Sequence, residues 1–143
     1  MDYEIIDNIT SADIAVAVTG ENLNELFMKG GIALVSEMTD DPGKIMEKEI
    51  RSGSLSHHEL DLLFFQFLNE ILFYKDAEGV ILKPINVEIE SEGGVYICRY
   101  LFSGELINKS LCGFRVDIKG VSLHHLKIEK IVEGFKGVAV FDA

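Results

Sequence analysis

The strongest hydrophobic pattern in the chain lies between Leu60 and Tyr74, where the sequence reads LDLLFFQFLNEILFY. Its apolar residues recur at spacings of three and four, the period of one face of an α-helix. A second side of the same helix is also apolar, at Leu62, Phe65 and Phe73. The pattern predicts a central helix that protein covers on most of its circumference. Ser56 and Glu59 have the spacing of a capping box at its start, and Gly79 is expected to end it.

The N-terminal part of the chain predicts a strand followed by a second helix. Asp13 to Val18 reads DIAVAV, with small or branched apolar residues on both alternating faces, as in a short strand buried on both sides. Asn22 is a suitable cap for a helix whose apolar stripe extends to Met38. Gly30 and Gly31 lie on the buried side of that stripe. Because each glycine costs about 1 kcal/mol of helix propensity, we expect close packing against the sheet or the central helix there.

The remaining segments are predicted to be mainly strands. Residues 44–50 form a weak strand of alternating charge, followed by a turn at residues 51–54. Residues 80–90 and 95–102 form a hairpin with its turn at residues 91–94, and Pro84 indicates an edge position or a bulge. A turn at Gly104 and Glu105 precedes three further strands, at residues 111–116, 120–129 and 137–141. This order predicts an α+β fold, with two helices packed on one mixed, largely antiparallel sheet.

Composition places the chain among single-domain proteins, because 143 residues with 48% hydrophobic content are enough to bury a core. We therefore expect one domain over residues 1–143. The net charge of −11 opposes binding to a nucleic-acid backbone and favours basic protein surfaces or cations as partners. The acidic start MDYEII is unlike a signal peptide, and no stretch predicts a membrane span, so we expect a cytoplasmic protein.

Sequence motifs of the common enzyme classes are missing, since the chain contains no G-x-G-x-x-G, Walker loop, G-x-S-x-G or H-E-x-x-H. Two cysteines outside any C-x-x-C motif, Cys98 and Cys112, predict buried thiols. The histidines form two adjacent pairs, at residues 57–58 and 124–125. Neighbours in a strand point to opposite faces, so the members of a pair are not expected to serve one site. We expect the first pair exposed in a first helical turn, and His124 buried as a hydrogen-bonded imidazole.

Two aspartates lie at the ends of apolar strands. Asp13 opens its strand, and Asp142 follows the last one on the same side as Val138 and Val140. A carboxylate beside buried β-structure loses hydration unless a hydrogen-bond donor or a cation offsets the loss. The sequence alone leaves two interpretations open: ordinary strand-edge acids, or ligands of a divalent ion.

Five blocks of the chain, in the same order and at similar spacing, resemble the archease family. The blocks are SADIAVAVTGENLNELFMKGGIALVSEMTD, LDLLFFQFLNEILFYKDAEG, GEL, IKGVSLHHLKI and the final VAVFDA. The family pattern has a D-H-T-A-D start, a helix ending in M-T-D, an LL-x-x-x-LNELL helix, a V-K-A-x-T-Y-H motif and an apolar strand finishing D-I. The resemblance implies a small α+β protein that promotes guanylylation and multiple turnover of the tRNA-splicing RNA ligase. That ligase joins 2′,3′-cyclic phosphate and 5′-hydroxyl ends through a guanylylated histidine.

The resemblance also implies a cation site, whose ligands would be Asp13, Asp142 and Ala143. In the family these positions hold a divalent cation, usually Ca²⁺. For this chain the resemblance therefore implies Ca²⁺, with Mg²⁺ or Mn²⁺ as alternatives. The contribution of Ala143 would come from a backbone or terminal carboxylate oxygen, because its side chain has no donor atom.

Three further positions match family motifs and are candidate functional residues. Asp40 is the acid of M-T-D, Lys119 is the motif lysine and His124 is the motif histidine. Two departures matter. The opening from Asp7 is longer by two residues and lacks the family's histidine, which leaves the role of Asp7 unassigned. The chain ends Asp-Ala where Asp-Ile is usual, which weakens terminal packing but keeps the oxygen ligands.

Three functions compete at this point. A ligase activator explains the acidic charge, the missing nucleophile motifs and the family blocks together. A metal-dependent hydrolase would use Asp13 and Asp142 to hold the cation, and would need a base such as His124 and a substrate pocket. A chaperone, or a specificity modulator of a tRNA-modifying methyltransferase, would need an exposed apolar patch. The sequence favours the activator.

Overall fold

The computed structural model describes residues 3–6, 13–109 and 113–143. Asp7 and Cys112 lie outside these residues. The described helices and strands, in chain order, are β1 (Glu4–Ile6), β2 (Asp13–Gly20), α1 (Leu23–Met38), β3 (Glu49–His57), α2 (Leu60–Glu78), β4 (Val80–Glu92), β5 (Val95–Leu106), β6 (Gly120–Ile131) and β7 (Gly134–Asp142). Short 3₁₀ turns occupy Pro42–Lys44 and Ile107–Lys109. Neither α-helix of the described part is long and apolar enough to cross a membrane.

The strands form two sheets, ordered β1-β2-β7-β6 and β3-β5-β4. Every pairing between the described strands is antiparallel. The predicted α+β class, with two helices on largely antiparallel β-structure, is confirmed. The single mixed sheet is corrected to two antiparallel sheets. The physical reason is that β2 pairs with β7, at the far end of the chain, and a pairing over that separation leaves no local pattern.

The central helix α2 provides the aromatic core, as predicted. Phe64 and Phe67 are fully buried, and their ring centroids lie 5.0 and 5.3 Å from that of Phe27 on α1. Phe67 also packs edge-on against Phe102 of β5, at a centroid distance of 5.6 Å. One part of the prediction was wrong: Phe73 is 56% exposed, so the second apolar side of the helix is not covered along its whole length.

The two glycines of α1 allow the close packing that the sequence predicted. A Cβ atom at Gly30 would lie 2.6 Å from the Phe64 ring of α2, and one at Gly31 would lie 2.8 Å from the Pro84 ring of β4. Real Cβ atoms essentially never make contacts this short, so a larger residue at either position would displace the ring that it meets. Pro84 itself lies on an edge strand, next to a register shift in β4, as expected.

The predicted start of α1, end of α2 and turn of the β4–β5 hairpin are confirmed. Asn22 caps α1 by accepting a hydrogen bond from the Glu25 amide at 2.9 Å, and Gly79 ends α2 in the left-handed region with φ 66°. The β4–β5 hairpin turns through Gly93 and Gly94, which have φ values of 58° and 80°. Two positive φ angles are typical of the tight turns that join antiparallel strands.

The structure overturns the elements predicted between α1 and α2. Of the weak strand expected at residues 44–50, only residues 49–50 belong to a strand. Residues 51–54 form no turn, because β3 runs without interruption from Glu49 to His57. Its polar residues Ser52, Ser54 and Ser56 are simply the exposed side of an edge strand. Ser56 therefore forms no capping box, and Glu59 makes no side-chain cap. His57 ends β3 instead of lying in a helical turn, and its Nδ1 accepts a hydrogen bond from the Glu59 amide at 3.0 Å.

Two predicted features after the hairpin were also wrong. Gly104 and Glu105 form no turn, since β5 continues to Leu106. Glu105 is only 2% exposed and accepts a hydrogen bond from the Met46 amide at 2.8 Å. The predicted strand at residues 111–116 is not found in its described part, where Phe114 makes one isolated bridge with Thr39.

The predicted burial of the thiol is confirmed for Cys98, whereas Cys112 lies outside the described residues. Cys98 is a buried free thiol on β5, and burial raises its pKa to about 12. A thiol with such a raised pKa carries little thiolate at neutral pH and is a poor nucleophile or metal ligand.

Candidate cation site at the paired ends of two strands

Asp13 and Asp142 are direct register partners in the antiparallel pair of β2 and β7. Directly opposite residues have their Cβ atoms about 5 Å apart and their side chains on the same face of the sheet. Both residues are half-buried. Two carboxylates in this arrangement repel each other and lose part of their hydration, so a cation between them would be stabilising.

A third strand borders the acidic pair. Gly120, the first residue of β6, is the register partner of Asp142 on the other side of β7. A Cβ atom at Gly120 would lie 3.7 Å from Oδ2 of Asp142, so that carboxylate extends beside the glycine. The Lys119 amide donates a 2.8 Å hydrogen bond to the Asp142 carbonyl oxygen. Ala143 follows directly and is exposed.

The chemistry of this strand end suits a hard divalent cation. Its potential ligands are carboxylate and backbone oxygens, which Ca²⁺ and Mg²⁺ prefer. Among the described residues, no three or more His, Cys, Asp or Glu side chains group closely enough to hold a metal ion. An ion at Asp13 and Asp142 would therefore take its further ligands from backbone oxygens, such as those of Ala143, and from water.

Asp40 lies at the end of α1, where the segment of residues 113–119, here called the strap, crosses it. Its amide donates a 2.8 Å hydrogen bond to the Gly113 carbonyl oxygen. The exposed Asp40 carboxylate lies against the Cα of Gly113, in the space that any side chain at that position would need. Sequence reasoning proposed a role for Asp40 only by resemblance, and the structure shows that it contacts the start of the strap.

The strap is not a strand, yet contacts fix it along most of its length. The Arg115 amide donates to the Met38 carbonyl oxygen at 2.9 Å, and Ile118 is fully buried. Asp117 accepts a 2.7 Å hydrogen bond from the ammonium of Lys75 on α2. Because Lys119 is its last residue, the strap connects the ends of both helices to the carbonyl group of Asp142.

Sequence reasoning missed Lys75, whose side chain is only 4% exposed and also forms an ion pair with Asp76 at 2.8 Å. Burial acts to lower the pKa of Lys75, but the hydrogen bonds to Asp117 and Asp76 outweigh it, so the pKa is raised. The same ion pair lowers the pKa of Asp117. A lysine that continues the apolar stripe of a helix was a visible signal, but its partner 42 residues away was not.

His124 lies on β6, and its predicted burial was wrong because the side chain is exposed. Between Ser122 and Lys127 the register of β6 shifts, so that residues 123–126 face only Ala139 of β7. His125 has a positive φ of 66°, and the ring centroids of His124 and His125 lie 3.8 Å apart. The expectation that the two neighbours point to opposite faces was therefore also wrong, since a bulge interrupts the alternation.

Solved structures with the same architecture define the structural class of the chain. The solution structure of protein 1598 from Methanobacterium thermoautotrophicum is similar with a TM-score of 0.85, at 24% identity, over 99% of this chain and 98% of that one. A crystal structure from Thermotoga maritima, described as an archease and possible chaperone, has a TM-score of 0.61 at 23% identity, over 94% and 93% of the two chains. These likenesses establish a shared small α+β fold.

Sequence relatives then give the family. The profile of the Archease protein family (MTH1598/TM1083) matches residues 3–143. Protein archease from Archaeoglobus fulgidus is 31% identical over 99% of both chains, and that from Thermococcus kodakarensis is 30% identical over 87% of both. The chain belongs to the archease family, which confirms the resemblance seen in the five sequence blocks.

Proposed function

We propose that this archease is an accessory protein, not itself an enzyme, that activates the tRNA-splicing RNA ligase by promoting its guanylylation and multiple turnover. The observation that supports the proposal is the opposition of Asp13 and Asp142 in a chain whose sequence matches the family from residue 3 to residue 143. Both aspartates correspond to positions that the family uses for a divalent cation.

The cation is part of the same proposal. Asp13, Asp142 and a main-chain or terminal oxygen of Ala143 bind one divalent ion, Ca²⁺ in the first instance, with Mg²⁺ or Mn²⁺ as alternatives. Two opposed carboxylates are tolerated together when a cation or a shared proton offsets their repulsion. The oxygen-rich strand end favours a hard cation.

Charge indicates how the protein would engage its partner. A net charge of −11 disfavours direct contact with an RNA backbone and favours a basic surface of the ligase, which itself holds the RNA. Lys119 and His124 are exposed on or beside β6, and Asp40 is exposed at the end of α1. All three side chains are accessible to a protein partner and are candidates for contacting the ligase.

The test is multiple-turnover ligation by the ligase of the same organism, with and without this protein, together with a guanylylation assay. We expect stimulation by the wild-type chain and loss of most of it in Asp142→Asn and Asp13→Asn. Glu133→Gln is the matched control, because it removes one exposed negative charge beside the start of β7, at the opposite end from Asp142. If both aspartate variants still stimulate the ligase, activation does not depend on the proposed cation site.

Two alternatives give different outcomes in the same experiments. Metal-dependent hydrolysis by the isolated protein, abolished in Asp13→Asn, would favour the hydrolase. Protection of a methyltransferase or another client from aggregation, without any effect on the ligase, would favour the chaperone. Large exposed apolar side chains occur on separate elements, for example Ile5 on β1, Ile50 on β3 and Leu123 on β6. A chaperone would need them in one continuous patch.

A further inference from the structure

The bulge in β6 brings two imidazole rings together on one side of an edge strand. His124 and His125 are neighbours in sequence, and a regular strand would direct them to opposite faces. Instead their ring centroids lie 3.8 Å apart, with the ring planes tilted by 55°. Both side chains are exposed, so an ion in solvent can reach both rings.

The local backbone explains this arrangement. His125 adopts a φ of 66°, in the left-handed region that few residues other than glycine, asparagine, aspartate and histidine occupy. The His124 amide donates a 3.1 Å hydrogen bond to the Ser122 hydroxyl oxygen, which supports the start of the bulge. The side-chain direction thus reverses at one residue, and that reversal puts the second ring beside the first.

We propose that His124 and His125 together chelate a divalent transition metal ion of the Zn²⁺, Ni²⁺ or Cu²⁺ type. Imidazole nitrogens are preferred ligands of these ions and bind them at about 2.0–2.1 Å. Both rings are exposed and can therefore rotate apart to admit an ion between them. No third His, Cys, Asp or Glu joins the pair among the described residues. Two protein ligands leave coordination positions open, to be filled by water or by a donor atom from a bound partner.

This site is separate from the proposed Asp13 and Asp142 site in both ligands and chemistry. Oxygen ligands select hard cations such as Ca²⁺, whereas paired imidazoles select borderline transition metals. The inference does not depend on ligase activation, and either proposal can fail without the other.

The chain contains its own control pair. His57 and His58 are also adjacent, but their ring centroids lie 6.3 Å apart. The Nδ1 of His57 already accepts the 3.0 Å hydrogen bond from the Glu59 amide. We therefore do not expect this pair to chelate a single ion.

The test is calorimetric titration of Ni²⁺ and of Zn²⁺ into the full chain without a histidine tag, in saturating Ca²⁺ to occupy any oxygen site. We expect one equivalent of metal to bind. His124→Asn and His125→Asn should each weaken binding roughly tenfold or more, because each removes one of two ligands. Asparagine tolerates positive φ, so His125→Asn preserves the bulge. The double variant His57→Asn and His58→Asn should bind like the wild type.

Binding that is unchanged in both His124→Asn and His125→Asn, or lost in the control double variant, would overturn the proposal. A second measurement needs no variant. Substoichiometric Cu²⁺ should broaden the NMR signals of residues 122–127 before those of residues 57–59, because a paramagnetic ion affects the nuclei closest to it. The opposite order of broadening would also refute the site.

Discussion

Lys75 Nζ lies 2.7 Å from Oδ1 of Asp117, which joins the C-terminal end of α2 to the middle of the strap. The lysine side chain is 4% exposed and the aspartate side chain 69% exposed, so the pair lies at the boundary between core and solvent. The strap ends two residues later at Lys119, whose amide contacts the carbonyl oxygen of Asp142. The ion pair is therefore a structural support for the strand end that carries the proposed cation site.

The two partners of this ion pair should contribute unequally to stability. Lys75→Ala removes a buried aliphatic stem and should lower the free energy of unfolding by about 1 to 3 kcal/mol. Asp117→Asn should cost less than about 1 kcal/mol, because Asp117 is mostly exposed and Lys75 keeps Asp76 as a partner. Urea denaturation of both variants measures which of the two loses more unfolding free energy. A larger loss in Asp117→Asn would show that the charge pair, not packing, supports the strap.

The contribution of Asp117 should also depend on pH in a defined direction. Its pKa is lowered by the hydrogen bond and charge of Lys75, so the folded state binds the proton more weakly than the unfolded state. The stabilisation is therefore fully present above the unfolded value of about 3.9 and is lost as the pH falls through the lower folded pKa. The difference in unfolding free energy between wild type and Asp117→Asn should be constant at pH 5–8 and shrink below about pH 4. A difference that grows in acid would contradict this assignment.

Removal of a buried aromatic side chain from the central helix α2 should be the most damaging single change in the core. Phe67 is fully buried between Phe27 and Phe102, so Phe67→Ala should lower the free energy of unfolding by roughly 3 to 5 kcal/mol. Phe73→Ala is a matched control on the same helix. Because Phe73 is 56% exposed, its loss should be within about 0.5 kcal/mol. Denaturant midpoints that are equal for the two variants would refute the burial pattern of α2.

Some parts of the fold could be predicted from the sequence, and others could not. The helices, the Asn22 cap and the glycine turn at Gly93 and Gly94 depend on local spacing and were predicted correctly. Residues 51–54 of β3 were predicted to form a turn because a run of small polar residues has the composition of a turn, although here its serines lie on one exposed face. The division into two sheets depends on the β2–β7 pairing, for which the sequence has no local signal.

Some residues of the candidate site could likewise be predicted from the sequence, and others could not. Residue patterns alone identified Asp13 and Asp142 as acids at strand ends, and only the family resemblance joined them into one site. The structure places them opposite each other, and cation binding stays a prediction. Lys75 and the strap could not be predicted, because their contacts join segments that are distant in sequence. The His124–His125 pair was misjudged because the alternation rule assumes a regular strand, and the bulge breaks it.

Two helix side chains each satisfy a backbone amide on one open edge of a sheet. Asp61 of α2 accepts a 2.8 Å hydrogen bond from the Ile128 amide on β6, and Asn24 of α1 accepts one of 2.7 Å from the Ile89 amide on β4. Both strands are edge strands, whose unpaired amides can otherwise pair with another chain. The helices thus satisfy edge groups that the sheets leave open.

Removal of one such acceptor should cost stability and promote self-association. Asp61→Ala leaves the partly buried Ile128 amide without this acceptor and should lower the free energy of unfolding by about 1 to 3 kcal/mol. Glu59→Ala is the control, because Glu59 precedes the same helix without making a side-chain cap. Light scattering at high protein concentration should show more association for Asp61→Ala than for Glu59→Ala. Equal behaviour of the two variants would mean that the edge is protected in another way.

The last prediction concerns the strand end itself: Asp13, Asp142 and Ala143 bind one divalent cation together. If a terminal or main-chain oxygen of Ala143 is a ligand, residues appended after Ala143 should weaken Ca²⁺ binding about as much as Asp142→Ala does. The appended residues crowd the open end of β7, where the proposed site lies. A tag placed before Met1 should leave binding unchanged.

Calorimetric titration of Ca²⁺ and Mg²⁺ measures the contribution of each ligand to the affinity. The proteins are the C-terminally extended chain, the chain tagged before Met1, Asp142→Ala and Asp13→Ala. A direct ligand role predicts that Asp13→Ala and Asp142→Ala both lose most of the affinity, because a single remaining carboxylate can neither bridge the strands nor balance the ion. Asp13→Asn and Asp142→Asn test charge at nearly constant size, and they should bind almost as weakly as the alanine variants. Unchanged binding in Asp13→Ala and in the extended chain would disprove the site, while the fold and the family assignment would stand, because both depend on other observations.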